Sequence, residues 1–175
     1  MTRRSLLLSA LLLVLGFTAS LSAGPPAHET PAEANAYLDR FVGQWVGTGS
    51  FDGTPVVESF DIARVLGGNF LLFRTREQGG AHFESDIYLG YDAARERYEL
   101  NIFTNFTGFG GGLPKRHMTG ERANADTLVM QEKPGKDPLR YTFELVDANT
   151  IRFTKAFVRG RNQQVIVVET LIRQP

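Results

Sequence analysis

The sequence predicts an all-β protein, a ten-stranded antiparallel up-and-down β-barrel with a short N-terminal helix. Three observations carry that prediction. Apolar and polar residues alternate with period two through ten segments, as expected of strands with one buried and one wet face. Short clusters of Gly, Asn, Asp and Pro separate the segments and suit tight hairpins rather than the long connections of a sandwich. The first segment, Phe41 to Phe51, holds the only tryptophan, Trp45. Its alternation puts Phe41, Gly43, Trp45, Gly47, Gly49 and Phe51 on the face expected to look inward. Glycine there leaves room for a bent strand, or for a ligand or another backbone to come close.

Residues 1–23 read as a secretory signal, with Arg3 and Arg4, an apolar run from Leu6 to Ala19 and small residues from Ser20 to Ala23. The run is shorter than the roughly 17 to 25 residues of a membrane-spanning helix. Thr2 to Leu7 also resembles a twin-arginine signal, so both export routes stay open. The expected location is secreted or periplasmic. Residues 24–30 form a linker, and residues 31–175 form a single barrel domain. At its start Thr30 caps a helix with Pro31 in first position and Glu33 closing a capping box. Tyr37, Leu38 and Phe41 are its apolar anchors, and the helix is expected across one end of the barrel.

Nine strands follow the first: Val56 to Leu66, Phe70 to Glu77, His82 to Tyr91, Tyr98 to Phe106, Lys115 to Glu121, Thr127 to Glu132, Arg140 to Val146, Thr150 to Val158 and Gln163 to Ile172. The inner face is clearest late in the chain, where Tyr141, Phe143 and Leu145, then Ile151, Phe153 and Phe157, alternate with polar neighbours. The last strand, with Val165, Ile166, Val167 and Val168, is apolar on both faces. Its outer side is expected to be covered by the helix or, in a homodimer, by a second subunit.

Charge and composition exclude several classes. Basic and acidic residues number 19 each, and loss of the leader removes two arginines, so the domain is slightly acidic and neither nucleic acid nor a membrane anchor is expected as partner. A cysteine-free domain of this length folds on its core alone, and there is no cysteine to lipidate. With three histidines, His28, His82 and His117, and no cysteine, no paired spacing for a zinc site exists.

Gly43-Gln44-Trp45 resembles the Gly-x-Trp signature of the lipocalin and calycin superfamily. The longer Gly43-x-Trp45-x-Gly47-x-Gly49 is similar to nitrobindin-type ten-stranded barrels, some of which bind haem. Gly90-Tyr91-Asp92 followed by Tyr98 resembles an uncharacterised family of secreted bacterial calycin-like proteins. The resemblance implies a ligand-binding barrel in which a late basic residue, Arg173 first and Arg152 second, stacks over Trp45. It does not extend to a lipocalin proper, whose Thr-Asp-Tyr loop is missing. The haem-binding relatives ligate iron through a histidine near the C-terminus, whereas no histidine follows His117 here. No cofactor is therefore expected.

The candidate ligand contacts are Trp45, Phe60, Asn101, Phe103 and His117, with no catalytic residue and no metal ligand. His117 stands between Arg116 and Met118, beyond the glycine-rich Thr107 to Pro114, which reads as a hairpin tip or as a lid carrying Phe109 and Leu113. It lacks the Gly-Lys-Ser/Thr of a phosphate loop. Asn101, Phe103 and Asn105 share one face of the fifth strand, opposite Tyr98, Leu100, Ile102 and Thr104. Turned inward, the amides orient a ligand; turned outward, they are solvated. Glu58, on the face of Phe60 and Ile62, is a carboxylate near one mouth with no evident second acid. The first functional reading is a non-catalytic barrel binding a small apolar or amphipathic molecule. The alternatives are an isomerase or hydrolase using His117 or Glu58 as base, and an interaction protein with a filled barrel.

Overall fold

The computed structural model describes residues 28–78, 83–105, 115–135 and 138–175. The expected signal, most of the linker, His82 and the glycine-rich segment lie outside the described residues. Helix α1 (Pro31–Asp39) starts where the capping chemistry puts it: Thr30 Oγ1 accepts from the Glu33 N–H at 3.2 Å, and Glu33 Oε2 accepts from the Thr30 N–H at 2.8 Å. Its inner side buries Ala34, Tyr37 and Leu38. Tyr37 meets Tyr98 edge-on at 6.1 Å and Phe41 at 5.4 Å, closing one end of the barrel. Arg64 ties the outer side down, donating to Asp39 at 2.8 Å and to the Asn35 carbonyl at 2.8 Å. Thr30→Ala is expected to cost about 1 kcal/mol, measurable as a small drop in thermal midpoint. No change would mean that the cap bonds are not needed to hold the helix on the barrel.

Ten strands follow: β1 (Gly43–Phe51), β2 (Thr54–Val65), β3 (Phe70–Glu77), β4 (Glu84–Asp92), β5 (Arg97–Thr104), β6 (Lys115–Arg122), β7 (Thr127–Gln131), β8 (Leu139–Asp147), β9 (Thr150–Arg159) and β10 (Asn162–Arg173). Each pairs antiparallel with the next, and β10 returns to β1, so the sheet is a closed barrel without free edges. The first hairpin turns on Asp52 and Gly53, both at positive φ (45° and 80°), as a two-residue turn matched to strand twist requires.

The lumen is layered. At the helix end Trp45 is 1 % exposed, its Nε1 donates to the Phe41 carbonyl at 2.8 Å, and the Arg173 guanidinium lies 4.1 Å from its ring. Arg173 also donates to the carbonyls of Val42, Arg40 and Ala148, binding the two chain ends of the domain together. Gly43, at φ 139°, makes this possible, because a Cβ there would come within 2.5 Å of the guanidinium. Arg152, the second candidate for that place, pairs with Glu144 at 2.8 Å instead. Above Trp45 an aromatic column fills the middle: Phe41, Phe73, Phe143 and Phe153, with Phe143 stacked on Phe153 at 4.8 Å and Phe60 edge-on to Phe153 at 6.5 Å.

Near the opposite end β10 carries a bulge between Val165 and Val167. The extra residue turns both Ile166 and Val167 into the interior. It leaves Val165, Val168 and Ile172 on the outer wall, 51 %, 43 % and 46 % exposed. α1 sits at the barrel end against β4 and does not cover this face.

Candidate functional site

Above the aromatic column the inward positions turn polar. Glu58, Thr75, Ser85, Thr104, Arg116, Tyr141, Lys155 and Glu169 continue the inward alternation of their strands into the half of the lumen away from the helix. Charges withdrawn from water are costly unless paired, so their pairing decides what the region can do.

Glu58 and Glu169 stand on β2 and β10, the two neighbours of β1, and are each 2 % exposed. Between them β1 offers no side chain. A Cβ on Gly47 would lie 2.7 Å from Glu169 Oε2 and 3.1 Å from the Phe60 ring. The glycine of the first strand thus clears space for a carboxyl pair that meets across it. Among the described residues Glu169 Oε2 faces no N–H or hydroxyl donor, and one proton held between the two carboxyl groups, with Glu169 donating to Glu58, supplies the missing bond. Burial, then the negative charge of Glu58, push the Glu169 carboxyl up to about 7 against the pull of Lys155. Glu77, opposite Glu58 on β3, adds to the push.

Lys155 reaches the same height from β9. Its ammonium lies over three rings, 5.1 Å from the centroid of Phe153 and 5.6 Å from those of Tyr141 and Phe83. Among the described residues it has no hydrogen-bond acceptor and no carboxylate at ion-pair distance. Burial pulls Lys155 down, but Tyr141, Glu58 and Glu169 outweigh it and hold the amine above its ordinary value, as a cation. Burial also raises Tyr141, which stays a neutral phenol. Thr75 Oγ1, 2 % exposed, is likewise without a partner among the described residues. Arg116 is engaged by Glu132 through contacts of 2.7 and 2.9 Å.

Lys155, Tyr141, Arg116, Ser85 and Thr104 line a cavity of about 50 Å³ whose remaining wall is Phe51, Phe83, Ile102, Leu139 and Ile166. At about 10 to 15 Å³ for each water-sized occupant, it admits a few waters or the end of a larger molecule. It does not enclose a drug-sized ligand, which needs at least about 300 Å³. A larger groove of about 340 Å³ crosses the outer wall over Gln44, Ser59, Asp61, Arg74 and Arg76. Its charged groups, Asp61, Arg74 and Arg76, are exposed to water.

The residues singled out from the sequence are not brought together. Trp45 belongs to the helix end and Phe60 to the aromatic column; both point inward, and neither lines the upper cavity. Asn101, Phe103 and His117 face outward, because Tyr98, Leu100 and Ile102 take the interior of β5. Phe103, 44 % exposed, packs edge-on against Tyr88 at 5.9 Å beneath the Lys115 ammonium. His117 pairs with Glu99, which also takes Arg97 at 2.6 Å. Burial works to raise the Glu99 carboxyl, and these two partners outweigh it and lower it. His117 therefore serves a surface ion network and cannot reach the lumen. Among the described residues no group of three or more His, Cys, Asp or Glu side chains is placed to hold a metal.

Sequence reasoning missed Lys155 and Glu169, though their signal was present. Lys155 stands on the period-two series of Ile151, Phe153 and Phe157, and Glu169 on that of Val167 and Leu171. A charge at an apolar-face position of a closed barrel is a lumen charge.

These features define a closed ten-stranded barrel, sealed by a helix at one end and carrying a polar chamber at the other. The chain belongs to the family described as Protein of unknown function (DUF1579), whose model matches residues 30–173. It is similar in fold to the crystal structure of Rv2717c from M. tuberculosis, with a TM-score of 0.59 and 17 % identity over 81 % of this chain and 98 % of that one. It is also similar to the S-type phycobiliprotein lyase CPES from Guillardia theta, with a TM-score of 0.51 and 9 % identity over 84 % of this chain and 98 % of that one. No curated protein matches the chain.

Proposed function

We propose that the protein binds a small amphipathic molecule end-on at the upper lumen, as an exported, non-catalytic barrel in a secreted or periplasmic setting. The observation that carries this reading is the Lys155 ammonium, which borders the cavity with no acceptor among the described residues, while Phe51, Phe83, Ile102, Leu139 and Ile166 supply an apolar wall beside it. The polar end of the ligand enters the cavity, and its apolar remainder lies along the wall. The aromatic column stops deeper entry. The Glu58–Glu169 pair does not argue for catalysis, since neither carboxyl lines the cavity and each is occupied by the other.

Calorimetry with ten-carbon amphiphiles of differing polar ends tests the reading. Saturable binding by at least one of them is expected, and Ser85→Phe, which fills the cavity from β4, is expected to weaken it at least tenfold while circular dichroism still reports the barrel. Absence of binding by every amphiphile, or equal binding by the filled variant, would overturn it.

A further inference from the structure

The groups that border the cavity are of one kind. Lys155 offers an ammonium, Arg116 a guanidinium, Tyr141 a phenol held neutral by burial, and Ser85 a hydroxyl. All can donate hydrogen bonds, and the two charged ones are donors only. Among the described residues no carboxylate lines the cavity. Tyr141, then the fields of Glu58 and Glu169, hold Lys155 as a cation, and among the described residues no carboxylate forms an ion pair with it. An ammonium arranged in this way accepts an anion from the cavity side.

Resting on the amphipathic-ligand reading, we propose that the polar end of the ligand is a carboxylate, bound by Lys155 with Tyr141 and Ser85, and that it enters together with one proton taken up by the Glu58–Glu169 pair. The proton comes from solvent, and no covalent bond changes. Its cause is the charge balance around Glu169. Among the described residues it faces Glu58 from β2, Glu77 from β3 and Lys155 from β9; Lys155 in turn faces Tyr141 of β8, which lies in the fields of Arg116 of β6 and of Glu132, just past the end of β7, and β1 contributes only glycine at this height. Among the described residues Lys155 is the one cation that offsets the carboxyl pair directly. A ligand carboxylate on Lys155 cancels that offset, and like charges close together in a low dielectric drive one of them to protonate. The carboxyl that responds titrates near neutrality, at about 7 in the empty barrel. Uptake is therefore fractional near pH 7 and approaches one proton above it. Affinity for the carboxylate should fall by up to about tenfold for each pH unit above about 7, since the slope equals the number of protons taken up.

Decanoate, decanol and decylamine, titrated into the full domain by calorimetry at pH 6 and pH 8 in buffers of different ionisation enthalpy, read both parts. Decanoate is expected to bind at least tenfold tighter than decanol at pH 6, with uptake approaching one proton per decanoate at pH 8. Lys155→Met should erase the preference, and Glu169→Gln should remove the pH slope. Tightest binding by decylamine, decanol equal to decanoate, or decanoate affinity independent of pH would each overturn the proposal while leaving an amphiphile-binding barrel. Failure of all three molecules to bind would defeat the amphiphile reading itself.

Discussion

Trp45→Ala is expected to destabilise the barrel by about 3 to 5 kcal/mol, the range for deleting a fully buried large aromatic side chain. The indole is 1 % exposed and gives its N–H to the Phe41 carbonyl, at the point where the helix hands the chain to β1. Its deletion removes the apolar area, leaves a space that the closed sheet cannot collapse into, and strips that carbonyl of its donor. The Arg173 guanidinium, 4.1 Å from the ring, loses its platform and with it part of the clamp on Arg40 and Val42. Urea denaturation checks the result. A cost below about 1 kcal/mol would show that the indole contributes no more than an ordinary surface group.

The second large effect is a fall in stability between pH 5 and pH 8. Glu169 binds its proton with a value raised to about 7 in the folded barrel, against 4.5 for an unperturbed glutamate. Between those values the folded chain holds a proton that the unfolded chain has released. Stability falls with rising pH wherever the native state binds more protons, so the penalty begins near the unfolded value and is complete above about pH 7. Each tenfold difference in proton affinity between the two states is worth about 1.4 kcal/mol, so the full penalty is roughly 3 kcal/mol. Glu169→Gln keeps the shape and one donor toward Glu58 and cannot ionise. It should be more stable than the parent at pH 8 and close to it at pH 5. Parallel stability curves for parent and variant over that range would contradict the shared-proton arrangement.

The architecture was legible because local chemistry repeats at each step. Asp147-Ala148-Asn149 and Gly160-Arg161-Asn162 end strands where the registers show turns, and Thr30, Pro31 and Glu33 specify the start of α1 from within four consecutive residues. Arg173 over Trp45 followed from the resemblance. The orientation of β5 was not legible. Asn101-Ile102-Phe103-Thr104 offers a polar and an apolar residue to each face, so period two alone does not choose between them, and contacts with β4 and β6 decide it. The chamber was hidden for another reason: Lys155 and Glu169 interrupt apolar series, and their partners Glu58 and Tyr141 come from other strands. Only closure through β1, with no side chain at Gly47, brings the two carboxyl groups together.

That closure also orders events in time. Every other strand pairing joins neighbours along the chain and can form as a local hairpin, whereas the contact of Arg173 with Val42 spans 131 residues. The entropy of closing so long a loop is met only when β10 arrives. Until then β1 and β9 expose unpaired edges to any other chain in reach. A nascent or truncated chain that ends before β10 is thus a nine-stranded ribbon with two sticky borders, and the completed domain is its own stopper.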